Sequence, residues 1–358
     1  MANKKRQHYI SQFLLRSFAV ATNSKSIHLH QKGTGKFVKN APIKSQAQQK
    51  YFYGEDAVFE DYLAHSENTA SKVINQIKNF NTLPKVGTKD YSFLLHFVMM
   101  YAFRTKASVT NTEEKINSGI QKIAQFDKTL SKIDFSKCRV SHPETAAFNL
   151  AYNMDNWVIT GDLSLGLIKN ETATEFIISD NPFVQFNPIQ LSRKRFPNNG
   201  GLLSTGLIIF FPISPKLYLI YYDEWAYRVN FENEGLLSLT DDYDIHNLNL
   251  LQAISAEETI YFSSEKKTQY IKNLTDEASW HKLDKHINDD VLDKANPDKK
   301  LLLSYYIEHL HNPEFTFLKL TDAARNEKDN ISMNSYRNNE IVEWMKMDKS
   351  YLKKTKLT

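Results

Sequence analysis

The stretch Glu175-Phe176-Ile177-Ile178-Ser179-Asp180-Asn181-Pro182 marks where this chain turns from helix to sheet, and the fold is read outward from it. Glu175 to Ile178 reads as a strand, carried by aromatic and β-branched side chains. Ser179-Asp180-Asn181-Pro182 reads as the turn that stops it, because Asp and Asn side chains bond back to nearby backbone and proline cannot extend a ladder. Downstream, Phe183 to Phe186, Leu207 to Phe211, Leu217 to Tyr222 and Thr259 to Phe262 are predicted strands, with a helix over Asp244 to Ala256. Pro212-Ile213-Ser214-Pro215 predicts a break between two of them, since proline argues against a continuous central strand. Asn198-Asn199-Gly200-Gly201 marks a loop.

Upstream, helical spacing dominates. Ile10, Phe13, Leu14 and Phe18 predict a short helix, and if it reaches back to His8, then His8, Gln12 and Arg16 stack four residues apart along one stripe. Ile27, Leu29, Phe37 and Val38 flank Lys32-Gly33-Thr34-Gly35 as a hairpin, with His28 and His30 on one side of its first strand. Residues 57–79 form a predicted helix with Val58, Tyr62, Val73 and Ile77 on one side, and Leu63, Glu67, Ala70 and Ile74 beside them. A carboxylate on an apolar stripe demands a partner or water, so Glu67 points to a buried pair or a site edge. Tyr91 to Lys106 is apolar nearly all round, which predicts a central buried helix whose polar exceptions are His96 and Arg104. Further helices are predicted near 112–131 and 143–156.

The expected fold class is therefore α/β of the mixed α+β kind: a helical N-terminal half packed with a mostly antiparallel or mixed β-sheet from the hairpin 26–39 and strands within 175–265. The core is expected over 1–282, helical over 1–157 and β-rich over 158–282. Residues 283–358 read as a charged, partly helical appendage with apolar islands at Leu301 to Tyr306, Phe315 to Leu318 and Ile341 to Met345.

Composition narrows the class. With 358 residues, 41% hydrophobic and 24% charged, the chain is globular in type and long enough for a sizeable core. One cysteine, Cys138, excludes an intramolecular disulfide and a cysteine zinc cluster and suits a reducing compartment, the cytoplasm. No apolar run approaches the roughly 20 residues that span a bilayer, and no signal peptide follows the basic start, so no membrane association is expected. A net charge of +4 from 45 basic and 41 acidic residues does not announce a nucleic-acid binder, but Lys4-Lys5-Arg6, Arg193-Lys194-Arg195 and Lys353, Lys354 and Lys356 are local basic clusters. Walker, Gly-x-Gly-x-x-Gly, His-Glu-x-x-His and Gly-x-Ser-x-Gly motifs are absent, which disfavours ATPase, dinucleotide, zinc-protease and α/β-hydrolase chemistry.

His8-Tyr9-Ile10-Ser11-Gln12-Phe13-Leu14-Leu15-Arg16-Ser17-Phe18 resembles the opening signature of the bacterial domain of unknown function 4238. The resemblance continues through Glu67, Arg104-Thr105, Phe176 to Pro182, Pro212 to Pro215 and the Asn249 region, covering about residues 8–265. It implies no stated activity, and places the chain among candidate bacterial defence or toxin proteins.

Ser-Asp-Asn-Pro at a strand's carboxyl end is where α/β folds often carry chemistry. His8, Glu67, Asp180 and Asn181 are the candidate catalytic residues; Gln12, Arg16, Arg104, Ser179 and Asn249 are the candidate substrate-binding residues. An imidazole, carboxylates, arginine and amides suit acid/base work on a phosphoester, with magnesium or manganese as the cation such a centre would take. The leading expectation is a nucleic-acid-directed phosphoester hydrolase of nuclease type, in which Asp180→Ala abolishes activity and leaves the fold intact. The rivals are a non-catalytic nucleic-acid or protein-binding module, with 283–358 as a protein-contacting segment, and a nucleotide- or nucleic-acid-modifying transferase. Against all three stands the plain alternative that Asp180 and Asn181 cap a turn and that the charged residues form a structural ion-pair network.

Overall fold

The computed structural model describes residues 6–55, 58–126, 133–134, 137–153, 156–194, 197–291, 302–332, 335–337 and 340. Lys4, Lys5, Arg195, the lysines Lys353, Lys354 and Lys356, and the apolar island Ile341 to Met345 lie outside the described residues. The chain opens with strand β1 (Arg6–His8), helix α1 (Gln12–Arg16), the hairpin β2 (Ser26–Gln31) and β3 (Lys36–Pro42), and β4 (Gln48–Lys50). Helices α2 (Val58–Phe80), α3 (Lys89–Arg104), α4 (Lys106–Phe126) and α5 (His142–Asn153) come next. The second half contains β5 (Ser164–Asn170), β6 (Ile178–Ser179), β7 (Val184–Phe186), the short α6 (Pro188–Leu191), β8 (Ile208–Ser214), β9 (Leu217–Tyr222), β10 (Tyr227–Val229) and β11 (Leu236–Leu239). Then come α7 (Asp242–Ser255), β12 (Thr259–Phe262), α8 (Thr268–His281), β13 (Lys282–Val291), β14 (Leu302–His309), β15 (Leu318–Leu320) and α9 (Asp322–Glu327). The fold is mixed α/β, as the periodicities predict.

The strands separate into two main sheets. One is a four-stranded sheet in the order β3-β2-β12-β6, and the other a five-stranded sheet in the order β11-β5-β9-β8-β7, antiparallel except that β11 runs parallel to β5. Alternation along β8 and β9 shows why the second is buried on both faces. Ile209, Phe211, Ile213, Leu219 and Tyr221 join the core formed with α2 and α3, whereas Ile208, Phe210, Tyr218 and Ile220 join a second core against α7. A sheet covered on both faces reads as an unbroken hydrophobic run, which is what Leu207 to Phe211 and Leu217 to Tyr222 display. β5 carries Gly166, where an added Cβ would stand 2.3 Å from the Phe231 ring, so only glycine lets that ring lie on the strand.

Four local expectations differ from the structure. β8 runs on through Pro212, because β7 pairs only with Ile208 to Phe210 and the irregularity between Pro212 and Ser214 absorbs the mismatch with β9. The strand expected at Glu175 to Ile178 shrinks to Ile178–Ser179, since Asn249 of α7 takes the backbone groups of Glu175 and Ile177. The helix expected near 112–131 begins at Lys106, directly behind α3. Val58, expected on the buried side of α2, is exposed; the helix buries Leu63, Ala70, Val73, Ile74 and Ile77.

The C-terminal segment contributes to the second core. Phe315, Phe317, Ala324 and Ile331 are buried there, and β15 pairs antiparallel with β10. Phe315 packs against Phe210 at 5.4 Å and Phe186 at 5.8 Å between ring centroids. Phe315→Ala is therefore expected to destabilise the whole domain by about 3–5 kcal/mol. Urea denaturation followed by tyrosine and tryptophan fluorescence checks this, and a loss below about 1 kcal/mol would show that the segment merely leans on the core.

Candidate functional site

Helix α3 ends where its sequence changes from apolar to Arg104-Thr105, and that break builds the centre of the molecule. Thr105 takes an extended conformation (φ −77°, ψ 158°), and its Oγ1 accepts a hydrogen bond from Ser108 N at 3.2 Å, so it caps the start of α4. The same hydroxyl donates to Asn181 Oδ1 at 2.9 Å. Arg104, only 1% exposed, donates through Nη1 to Glu67 Oε1 at 2.8 Å and through Nη2 to the His8 carbonyl at 2.9 Å. Its guanidinium lies 5.1 Å from the centroid of the Tyr101 ring, and Tyr53 donates its hydroxyl to the Arg104 carbonyl at 3.1 Å. Burial opposes the arginine's charge, but its surroundings, with Glu67 as the carboxylate among them, more than offset it and its pKa is raised. Burial pushes Tyr53 and Tyr101 up to about 12, so both stay neutral.

Asp180 occupies a second junction. Its carboxylate is buried and accepts from the backbone amides of Glu257 (2.8 Å), Glu258 (2.7 Å) and Thr259 (2.9 Å), holding the bend between α7 and β12. Burial raises the Asp180 pKa to about 6, against the opposing pull of those three amides and of Lys32. Lys32, from the β2–β3 turn, donates to the carbonyls of Ala253 and Ala256 at the end of α7, where a cation suits the helix dipole. Asn249, Gln252 and Ser255 of α7 complete the attachment. Asn249 clamps residues 175 and 177, Gln252 Nε2 reaches Ser179 Oγ at 2.6 Å, and Ser255 binds Asn181 through Oγ.

The candidate residues thus fall into three groups. His8, Glu67 and Arg104 meet, but His8 does so through its carbonyl, while its Nε2 lies 3.2 Å from Lys44 O. The predicted stripe of His8, Gln12 and Arg16 is not formed, because residues 6–8 pair with Gln48–Lys50 as a strand and the helix starts only at Gln12. Gln12 and Arg16 bond to each other at 2.9 Å on the surface side of α1. Ser179, Asp180, Asn181 and Asn249 form the α7 junction, joined to the Arg104 group through Thr105 and Asn181. His28 and His30 share a strand face as predicted, yet each is buried in packing: His28 Nδ1 accepts from Asn40 N, and His30 stacks on Phe37 with Nδ1 at 3.1 Å from Thr275 Oγ1. Among the described residues no group of three or more His, Cys, Asp or Glu is placed to hold a metal ion.

Asn181 also faces open space. A cleft of about 530 Å³ lies between the α3–α4 corner, β7, the loop 198–202 and the end of α7, with Lys115, Asn181, Gln185, Asn199, Ser255 and His309 among its walls. No carboxylate lines it among the described residues. His309, 5% exposed, accepts at Nε2 from Asn199 Nδ2 at 3.3 Å, which leaves the ring proton on Nδ1, with a backbone hydrogen bond to His311; Asn199 Oδ1 is buried without a partner among the described residues. Burial, reinforced by His281, lowers the His309 pKa to about 4, and the same causes lower His311 to about 4; the His281 and His311 rings lie 4.2 Å apart between centroids, tilted by 44°. Sequence reading missed His309 because it lies in a charged stretch without periodicity, and saw Asn199 only as part of a glycine-containing loop.

Two outcomes are expected. Asp180→Ala leaves three part-buried amides of the bend without their acceptor, so it should cost about 1–3 kcal/mol in denaturant unfolding; an unchanged midpoint would refute the anchoring role. Histidines held neutral by burial give stability that is full above the ordinary value of 6.5 and is lost as pH falls through about 4. The melting temperature should therefore drop between about pH 6.5 and pH 4.5, and His309→Gln should flatten that drop.

Comparison with known proteins agrees with the residue pattern. No curated protein and no solved structure gives a match. A family described as "Protein of unknown function (DUF4238)" matches residues 6–266, a span that holds β1, the Arg104-Thr105 break and the Asp180 junction but ends before His309. On that match, over most of its length, the chain belongs to the DUF4238 family.

Proposed function

We propose that the cleft beside Asn181 binds a nucleotide or a single-stranded nucleic-acid segment, and that binding rather than phosphoester hydrolysis is its main work. The observation that carries this reading is a wall without carboxylates among the described residues that combines Lys115 with a buried acceptor, Asn199 Oδ1, which has no partner among them. A cation and no acid favour a phosphate, while the buried Asn199 acceptor favours a ligand bearing an N–H donor, such as the exocyclic amino group of a base. The expected catalytic carboxylates support hydrolysis poorly, since Glu67 is engaged by Arg104 and Asp180 by three amides.

Hydrolysis is the second reading, favoured by His309 alone. Its imidazole stands at the cleft wall, where Nε2 would accept a proton from an attacking hydroxyl or water once a ligand takes over the Asn199 amide that it now faces. In either reading the protein acts in the cytoplasm as a nucleic-acid-directed effector of defence or toxin type, and a divalent cation would come with the phosphates of the ligand rather than from a preformed ligand set.

Fluorescence anisotropy with labelled single-stranded RNA and DNA, with and without magnesium or manganese, tests the reading. Asn199→Asp, which puts a negative charge in the wall, is expected to weaken binding about tenfold or more at low salt. Fragment length and intact mass are read on the same samples. Binding with both unchanged supports the binding module. Fragments that vanish in His309→Gln establish the hydrolase, added mass a transferase, and no binding by the wild-type chain ends the proposal.

A further inference from the structure

A second recess, separate from the cleft, lies between α6, β15 and the turn after α9. It encloses about 900 Å³, within the range of sites that take small molecules. Ile189, Tyr227, Phe315, Leu318, Leu320 and Ile331 supply its apolar lining. The Tyr227 hydroxyl is already bonded to the Gly206 carbonyl at 3.1 Å, which leaves its ring to the groove.

The rim is charged, and unevenly so. Arg193 is half-buried and Lys194 and Lys328 are exposed, while the two rim carboxylates, Glu314 and Asp329, are also exposed. Arg193 donates through Nη1 to a neutral partner, Gln190 Oε1, at 3.1 Å. No carboxylate pairs with it among the described residues, and burial lowers its pKa. A guanidinium partly removed from water, with no acid partner among the described residues, is available to an anion, which would offset the cost of burying its charge.

We propose that this groove binds a long-chain fatty carboxylate, with the carboxylate on Arg193 and the alkyl chain along Leu318, Leu320 and Ile331. Charge complementarity selects the head group: Arg193 offers a planar fork that matches a carboxylate. The apolar lining selects the tail, since alkyl carbons gain about 0.8 kcal/mol per buried methylene. This site draws on the Arg193-Lys194 pair that the sequence marks as basic, and it stands or falls apart from the reading of the cleft.

Isothermal titration of the full chain with dodecanoate, dodecanol and dodecylammonium, each below its micelle concentration, tests it. Dodecanoate is expected to bind one to one and about tenfold or more tighter than dodecanol, with dodecylammonium weakest. Arg193→Gln should lower dodecanoate to the level of dodecanol and leave dodecanol unchanged, while Leu318→Gln should weaken both. Absence of dodecanoate binding overturns the proposal. So does equal binding of dodecanoate and dodecylammonium, which would show detergent-like adsorption, or an unaltered dodecanoate affinity in Arg193→Gln. The ligand series on the wild-type chain decides the matter even if a variant fails to fold.

Discussion

The burial of the Arg104 charge is the constraint on which the rest of the structure depends. A guanidinium removed from water needs acceptors, and the two that reach its Nη1 and Nη2 come from distant parts of the chain: Glu67 on α2 and the carbonyl of His8 on β1, while Nε is buried without one among the described residues. The Tyr101 face lies beside it from one turn earlier on its own helix. Meeting these demands fixes α2 and β1 against α3. The next residue, Thr105, starts α4 and reaches Asn181, so the helical half and the sheets are registered through two consecutive side chains.

The same demand for satisfied polar groups explains why a motif that looks catalytic is a fastening. In Ser179-Asp180-Asn181, each side chain is bound to α7 or to the bend after it. A buried carboxylate that accepts three amide bonds is held in one position, which suits a structural anchor. Asn181 differs because one side of it lines the cleft, which places a saturated, rigid residue at the wall of a polar recess near the centre. Rigid walls of this kind favour selective binding over chemistry that needs a mobile proton carrier.

The five-stranded sheet sets the role of the C-terminal residues. Its second face would expose Phe210 and Phe186 without the aromatic pair Phe315 and Phe317, so a segment with little periodicity of its own is held by the sheet it covers. That segment lies past the residues matched by the family, yet it supplies His309 to the cleft and most of the apolar groove. The part of the molecule shared with the family is thus the scaffold, and the C-terminal residues beyond it complete the two recesses.

Much of this fold was legible in the residues. Helical hydrophobic spacing marked α2 and α3, and apolar β-forming runs marked the β2–β3 hairpin, β8, β9 and β12, because burial leaves a period of 3.6 or an unbroken run that survives in one dimension. Glu67 and Arg104 were legible as partners in waiting, since charge on an apolar stripe requires compensation. What the sequence by itself could not determine was which groups meet. His8 lies on a strand because Gln48–Lys50 pairs with it, β8 tolerates Pro212 because β7 stops short, and Asp180 meets amides some 77 residues away. His309 reaches Asn199 across 110 residues. Such long-range pairings leave no local period. Tertiary structure alone decided them, because a polar side chain is satisfied by whatever the packed backbone brings within hydrogen-bond reach.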